Sequence, residues 1–114
     1  MSTADVVNRY TEAFDARDLR TVESLLAEDF RFEGPLMSAS SRQEFFEQLA
    51  QFEMTATTIV RRQIANGSTV ARLFDFEMTA PARVRIPMAE WLEVEDGRIV
   101  SSQLIYDPSR FPKP

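Results

Sequence analysis

Three turn signals, Asn66-Gly67, Ala80-Pro81 and Asp96-Gly97, punctuate the second half of the chain at hairpin-like intervals. The segments between them alternate apolar and polar residues, the pattern of strands with one buried face, and turns this tight force neighbouring strands to run antiparallel. Four strands are predicted, at 55–65, 69–79, 84–95 and 98–107. In residues 84–95 the even positions Val84, Ile86, Met88, Leu92 and Val94 are apolar, and Glu90 interrupts them. The strand before it repeats the anomaly, with Val70, Phe74, Phe76 and Met78 interrupted by Arg72. Equal arms about the Ala80 to Arg83 turn put residue 72 opposite the 90–92 region, so the two violations are same-face neighbours.

An arginine and a glutamate side by side on a buried face admit two readings. One is a partly buried ion pair that closes one end of the core through charge-assisted hydrogen bonds. The other is an apolar pocket in which Glu90 is the acid or base and Arg72 tunes it.

The first half of the chain reads as helices. Apolar residues recur at intervals of three and four in Val7, Tyr10 and Phe14, then in Leu19, Val22, Leu25 and Leu26, with Asp18 as N-cap of the second run. Ser41 and Glu44 have capping-box spacing ahead of Phe45, Phe46, Leu49 and Phe52, which announces a third helix. Between them "DFRFEGP" is a brief strand closed by Gly34-Pro35. Helices first and an antiparallel sheet after make an α+β protein with the helices on one face. The 114 residues suit one domain, 1–114, with no repeat or linker, and the Pro-rich stretch 107–114 is expected to lie extended over the surface. Asn66-Gly67-Ser68 has the form of a glycosylation sequon but reads as a turn.

Composition removes several chemistries. A formal charge of −5 gives no basic stripe for nucleic acid, and no apolar run approaches the length of a bilayer span, so the expected setting is cytoplasmic. The absence of both cysteine and histidine excludes Ser-His and Cys-His catalysis, disulfides and the usual zinc sites. The one lysine, Lys113, stands among prolines, and the glycines, Gly34, Gly67 and Gly97, cannot form a phosphate-cradling loop. No cofactor or metal is called for: the acidic pairs Glu28-Asp29 and Glu95-Asp96 read as a solvated helix end and a turn. Carboxylates, tyrosines and arginines are left for proton chemistry.

Tyr10 lies with Phe14 on the apolar side of the first helix, and Tyr106 shares its phase with Val100, Ser102 and Leu104. A buried tyrosine hydroxyl needs a partner, and Glu90 is the obvious candidate for one of the two; the alternative for each is a core aromatic with its tip in water. Phe14, Phe30, Phe32, Met54, Phe74, Phe76, Met88 and Tyr106 are core residues by type, and they line a substrate cavity if the sheet curves around one. An enclosed volume on the order of 300 Å³ or more separates a ligand site from a filled core. The opposite phase carries Ala71, Leu73, Ala89, Trp91, Ile99 and Ile105, an apolar outer patch that a monomer rarely leaves exposed.

"VVNRYTEAFDARDLRTVESLLAEDFRFEGP" resembles the opening of SnoaL-like and ketosteroid-isomerase-like proteins of the nuclear transport factor 2-like superfamily, and "VEDGRIVSSQLIYD" resembles its final hairpin. The resemblance implies a cystatin-like curved antiparallel sheet wrapped around N-terminal helices, a cone-shaped cavity, and a homodimer through the outer sheet face at Leu73, Trp91 and Ile105. It is specific for fold and weak for activity, since that superfamily holds isomerases, cyclases, dehydratases, epoxide hydrolases and non-catalytic binders. It places Tyr10 at the isomerases' oxyanion-hole tyrosine and Glu90 at their second oxyanion-hole acid. Their general-base aspartate falls on Gly34, and strand alternation turns the adjacent Glu33 to the other side. Arg72 replaces an apolar position and favours an ionised Glu90, which departs from the isomerase mechanism. The expected function is metal-free general acid–base chemistry by Glu90, Tyr10 and Arg72 on a small apolar ring-containing molecule. The alternative is a non-catalytic dimeric ligand-binding domain with a structural Arg72–Glu90 pair.

Overall fold

A computed structural model describes residues 1–112. Helices α1 (Thr3–Asp15) and α2 (Leu19–Leu25) lead into β1 (Leu26–Glu33), followed by the short β2 (Ser38–Ala39) and helix α3 (Arg42–Leu49). The meander β3 (Thr55–Asn66), β4 (Thr69–Ala80), β5 (Val84–Glu95) and β6 (Arg98–Ile105) follows, then a 3-10 turn at Pro108–Arg110. All six strands form one sheet in the order β2-β1-β6-β5-β4-β3.

Local chemistry fixes the helix starts. Ser2 and Asp5 form a reciprocal capping box at α1, and the Asp18 carboxylate accepts from the Thr21 N–H and hydroxyl at α2. Ser41 caps α3 by accepting from the Glu44 N–H, but Glu44 accepts from the Ser40 hydroxyl rather than returning the bond. Helix α3 ends at Leu49, so Phe52 lies outside it. The second helix is also shorter than its apolar spacing suggests: Leu26 already has extended backbone and opens β1. Both Leu25 and Leu26 are buried, so the two periodicities overlap at the junction and neither marks the boundary.

The meander keeps the predicted strands to within a residue or two, because its turns demand specific backbone. Gly67 alone has positive φ in the first hairpin, as a II′ turn requires, whereas Asp96 and Gly97 both have it in the last, as in type I′. In the β4–β5 hairpin Arg72 pairs with Glu90, the register expected from equal arms.

Three further features differ from the sequence expectation. Strand β1 runs parallel to β6, so the sheet is mixed; β1 is joined to the meander through β2 and α3, and no hairpin turn sets its direction. A bulge in β5–β6 pairs Glu93 with Ser101 but Val94 with Ile99. That extra residue returns Ile99 to the inner face, where it is fully buried rather than part of the outer patch. Finally, residues 107–112 are not extended over the surface: Asp107 caps the 3-10 turn and Phe111 packs on Tyr106 and Phe76. Lys113 and the last proline lie outside the described residues.

The inner face holds two apolar clusters. One lies beneath the helices and includes Val6, Val22, Phe30, Val70, Leu92 and Ile99; the other, further along the strands, is Phe74, Ile86 and Met88. Arg72 lies between Val70 and Phe74 on β4, and Glu90 between Met88 and Leu92 on β5, so the charged pair marks the border between the clusters.

Candidate active site

Arg72 and Glu90 meet on the inner face with side chains 4% and 5% exposed. Arg72 donates from Nε at 2.9 Å and from Nη2 at 2.7 Å, both to Glu90 Oε1. The other carboxylate oxygen, Oε2, accepts from the Ser102 hydroxyl at 2.6 Å. Arg72 Nη1 donates to the Thr11 hydroxyl at 2.6 Å, which itself donates to the Val7 carbonyl on α1. The guanidinium carbon lies 4.9 Å from the centre of the Phe74 ring. One chain of hydrogen bonds thus ties α1 to β4, β5 and β6, and every contact of Glu90 is one in which it accepts.

Neither Ser102 nor Thr11 was singled out in the sequence. Ser102 carried a usable signal, a polar residue in the buried phase of β6, the same kind of violation as Arg72. Thr11 follows Val7 by one helical turn and faces the same way, but nothing in its own spacing distinguishes it from a surface threonine.

The network opens onto a cavity of about 470 Å³, well above the volume that a small ligand needs. Phe14, Phe32, Met54, Phe74, Phe76, Met88 and Tyr106 line it, as expected, together with Tyr10, Arg72 and Glu90. Phe30 does not: it is fully buried in the solid cluster, with its ring edge-on to Phe45 at 5.1 Å. Phe32, two residues further along the same face, reaches the cavity. Met37, Phe45, Leu49, Met78, Leu104 and Phe111 also line it and were not anticipated.

The position equated with the isomerase base also faces the cavity. Gly34 lines it, and a Cβ there would meet the Phe32 ring at 3.1 Å, but no carboxylate is present. Glu33 is exposed and faces the other side, against Gln103 of the outer surface.

Tyr10 is 5% exposed and lines the cavity, and its hydroxyl, which forms no hydrogen bond among the described residues, reaches the cavity space. The bond expected between Glu90 and one of the two tyrosines is absent among the described residues: the carboxylate accepts from Arg72 and Ser102 instead. Burial pushes the Tyr10 pKa upward, the charge of Glu90 adds to the rise, and Arg72 opposes it. Burial likewise raises Tyr106. Tyr10 is therefore a donor held protonated, with its proton uncommitted.

On the outer face Leu73, Trp91 and Ile105 are 49%, 53% and 59% exposed. No three acidic side chains cluster among the described residues, and no helix there is long and apolar enough to cross a membrane.

A curved sheet closed by helices around a largely apolar cavity, with a buried Arg–Glu pair in its wall, defines a class of α+β proteins built around an internal pocket. The model of the SnoaL-like domain family matches residues 7–102, and the chain belongs to that family, within the nuclear transport factor 2-like superfamily. Among solved structures, a Xanthomonas campestris protein of unknown function with a cystatin-like fold aligns with TM-score 0.84 at 20% identity, covering 96% of this chain and 95% of that one. An epoxide hydrolase of Mycobacterium tuberculosis, of the LEH-like kind, aligns with TM-score 0.83 at 20% identity over 95% of this chain and 84% of that one. A protein of Kribbella flavida proposed to be a ketosteroid isomerase aligns with TM-score 0.82 at 22% identity over 98% and 82%. These likenesses establish the fold. No curated protein matches the sequence.

Proposed function

We propose that this protein is an enzyme that performs general acid–base chemistry with its own side chains on a small, neutral, ring-containing molecule. The observation that carries the reading is a hydrogen-bonded carboxylate lining a largely apolar cavity of about 470 Å³. Glu90 is the base: its Oε2 keeps a lone pair beyond the one that Ser102 fills. Arg72 fixes the carboxylate and balances its charge, and Tyr10 supplies a proton or hydrogen bond to an oxygen on which charge develops. The reaction differs from that of a ketosteroid isomerase in two respects, since Gly34 offers no general base and Glu90 accepts where the isomerase acid donates. A base that activates water or a carbon acid, as in epoxide hydrolysis or cyclisation, fits these groups better.

The test is turnover of a panel of neutral cyclic epoxides and enolisable cyclic ketones, followed by mass spectrometry. On any substrate found, Glu90→Gln should lower kcat/KM by at least about 100-fold, the scale of a lost general base. Turnover unchanged by that substitution would remove Glu90 from the chemistry.

A second reading, a ligand-binding module with a structural ion pair, draws on the completeness of the pair's own bonding: Arg72 and Glu90 satisfy each other without any ligand. Both readings include a homodimer through the outer sheet face, supported by the exposure of Leu73, Trp91 and Ile105. Light scattering at micromolar concentration should give twice the chain mass of 13.1 kDa, and Leu73→Asp should give the single mass. A wild-type monomer would overturn the dimer.

A further inference from the structure

The family match ends at residue 102, yet part of the cavity wall is built from residues beyond it. Leu104, Tyr106, Phe111 and Pro112 all line the cavity. The segment after β6 is turned back to reach it: Asp107 accepts from the Ser109 N–H at 3.0 Å and hydroxyl at 2.7 Å, and the Phe111 N–H reaches the Pro108 carbonyl. Outside the turn, its polar attachment is a 3.4 Å bond from Arg110 Nη2 to the Arg85 carbonyl. Its apolar attachment is the Phe111 ring, 5.5 Å from Tyr106 and 6.0 Å from Phe76.

Phe76 stands four residues along β4 from Arg72, about 13 Å of extended strand. Phe111, its ring tilted against Phe76, therefore stands in the cavity wall about that far from Arg72, with Met78 and Pro81 of the lining beyond it. A ligand held at Glu90 extends its apolar body toward this ring. We propose that Phe111 is a specificity-determining residue, a stop that sets the length of ring ligand the cavity accepts. The proposal rests on the reading of the cavity as a small-molecule site, but not on catalysis.

Two neutral fluorescent probes of different length, N-phenyl-1-naphthylamine and the longer Nile red, test it by equilibrium titration. The wild type should bind the shorter probe more tightly. Phe111→Ala should tighten Nile red by at least about tenfold while changing N-phenyl-1-naphthylamine by less than about threefold, and Phe111→Trp should shift Nile red the opposite way. Phe111→Leu, which keeps an apolar contact on Tyr106, guards against a local packing failure and should fall between the wild type and Phe111→Ala. Equal changes for both probes, or none, would overturn the stop. So would probe binding abolished by Leu73→Asp, which would place the probes on the outer sheet face. Binding of neither probe would overturn the cavity as a ring-ligand site, and Phe111 with it. Failure of the catalytic proposal alone would leave the probe results standing.

Discussion

Glu90→Ala is expected to cost about 3–5 kcal/mol of folding stability, the scale for removing one partner of a buried ion pair. The side chain of Arg72 is 4% exposed and cannot shed its proton, so without Glu90 its Nε and Nη2 face an empty site and only Thr11 still accepts from it. Ser102, 3% exposed, loses its acceptor as well. Against a typical margin of about 5–15 kcal/mol this is a large fraction, and the melting temperature should fall by more than about 10 °C. The double variant Arg72→Met with Glu90→Leu should recover most of that loss, because apolar groups of similar size replace buried ion pairs at little cost. Urea denaturation of the three proteins measures both effects. The comparison also separates the two readings of the pair. If it exists for stability, the double variant should keep whatever ligand binding or turnover the wild type has. If it exists for chemistry, the double variant should be folded and inert. A Glu90→Ala protein as stable as the wild type would contradict the burial of the pair.

The pair was legible in the sequence because two independent regularities met there. Period-two alternation fixes which face a residue takes, and a tight turn fixes register, so the sequence alone sets Arg72 opposite the Glu90 region. The same rules fail where one of the two is missing. Plain alternation assigns Ile99 to the outer face, but a single bulge beyond Glu93 reverses the phase, and nothing in the local sequence announces it. Strand β1 has alternation but no turn to set its direction, and it pairs parallel to β6. Phe30 and Phe32 show a third limit. They share a face, but alternation says nothing of depth along the strand, and depth decides that Phe30 packs in the solid cluster and Phe32 lines the cavity. Phe111 was hidden for a related reason: a Pro-rich segment reads as surface, and only the tertiary fold brings its aromatic ring back onto Phe76.

Tyr10→Phe is expected to separate stability from function more sharply than any change at Glu90. The Tyr10 hydroxyl has no partner among the described residues, so deleting it breaks no hydrogen bond and should leave the midpoint of urea denaturation at pH 7 within error of the wild type. If that hydroxyl stabilises charge on a reacting oxygen, kcat should fall by about 100- to 1,000-fold, the scale of one lost oxyanion-hole donor. A pH series adds a second readout with a definite sign. The unfolded chain releases the Tyr10 proton near its ordinary pKa of 10.0, and the folded protein holds it to higher pH because burial and Glu90 raise that value. The contribution is complete below pH 10 and is lost as pH rises above it, since there the folded state binds more protons than the unfolded one. Tyr106, raised by burial, acts in the same direction. Stability of the wild type should therefore fall between pH 10 and 11, and Tyr10→Phe should make that fall shallower. An unchanged alkaline slope would mean that Tyr10 is not held in the apolar setting described, whereas a shallower slope with unimpaired turnover would leave it a core residue and remove it from the chemistry.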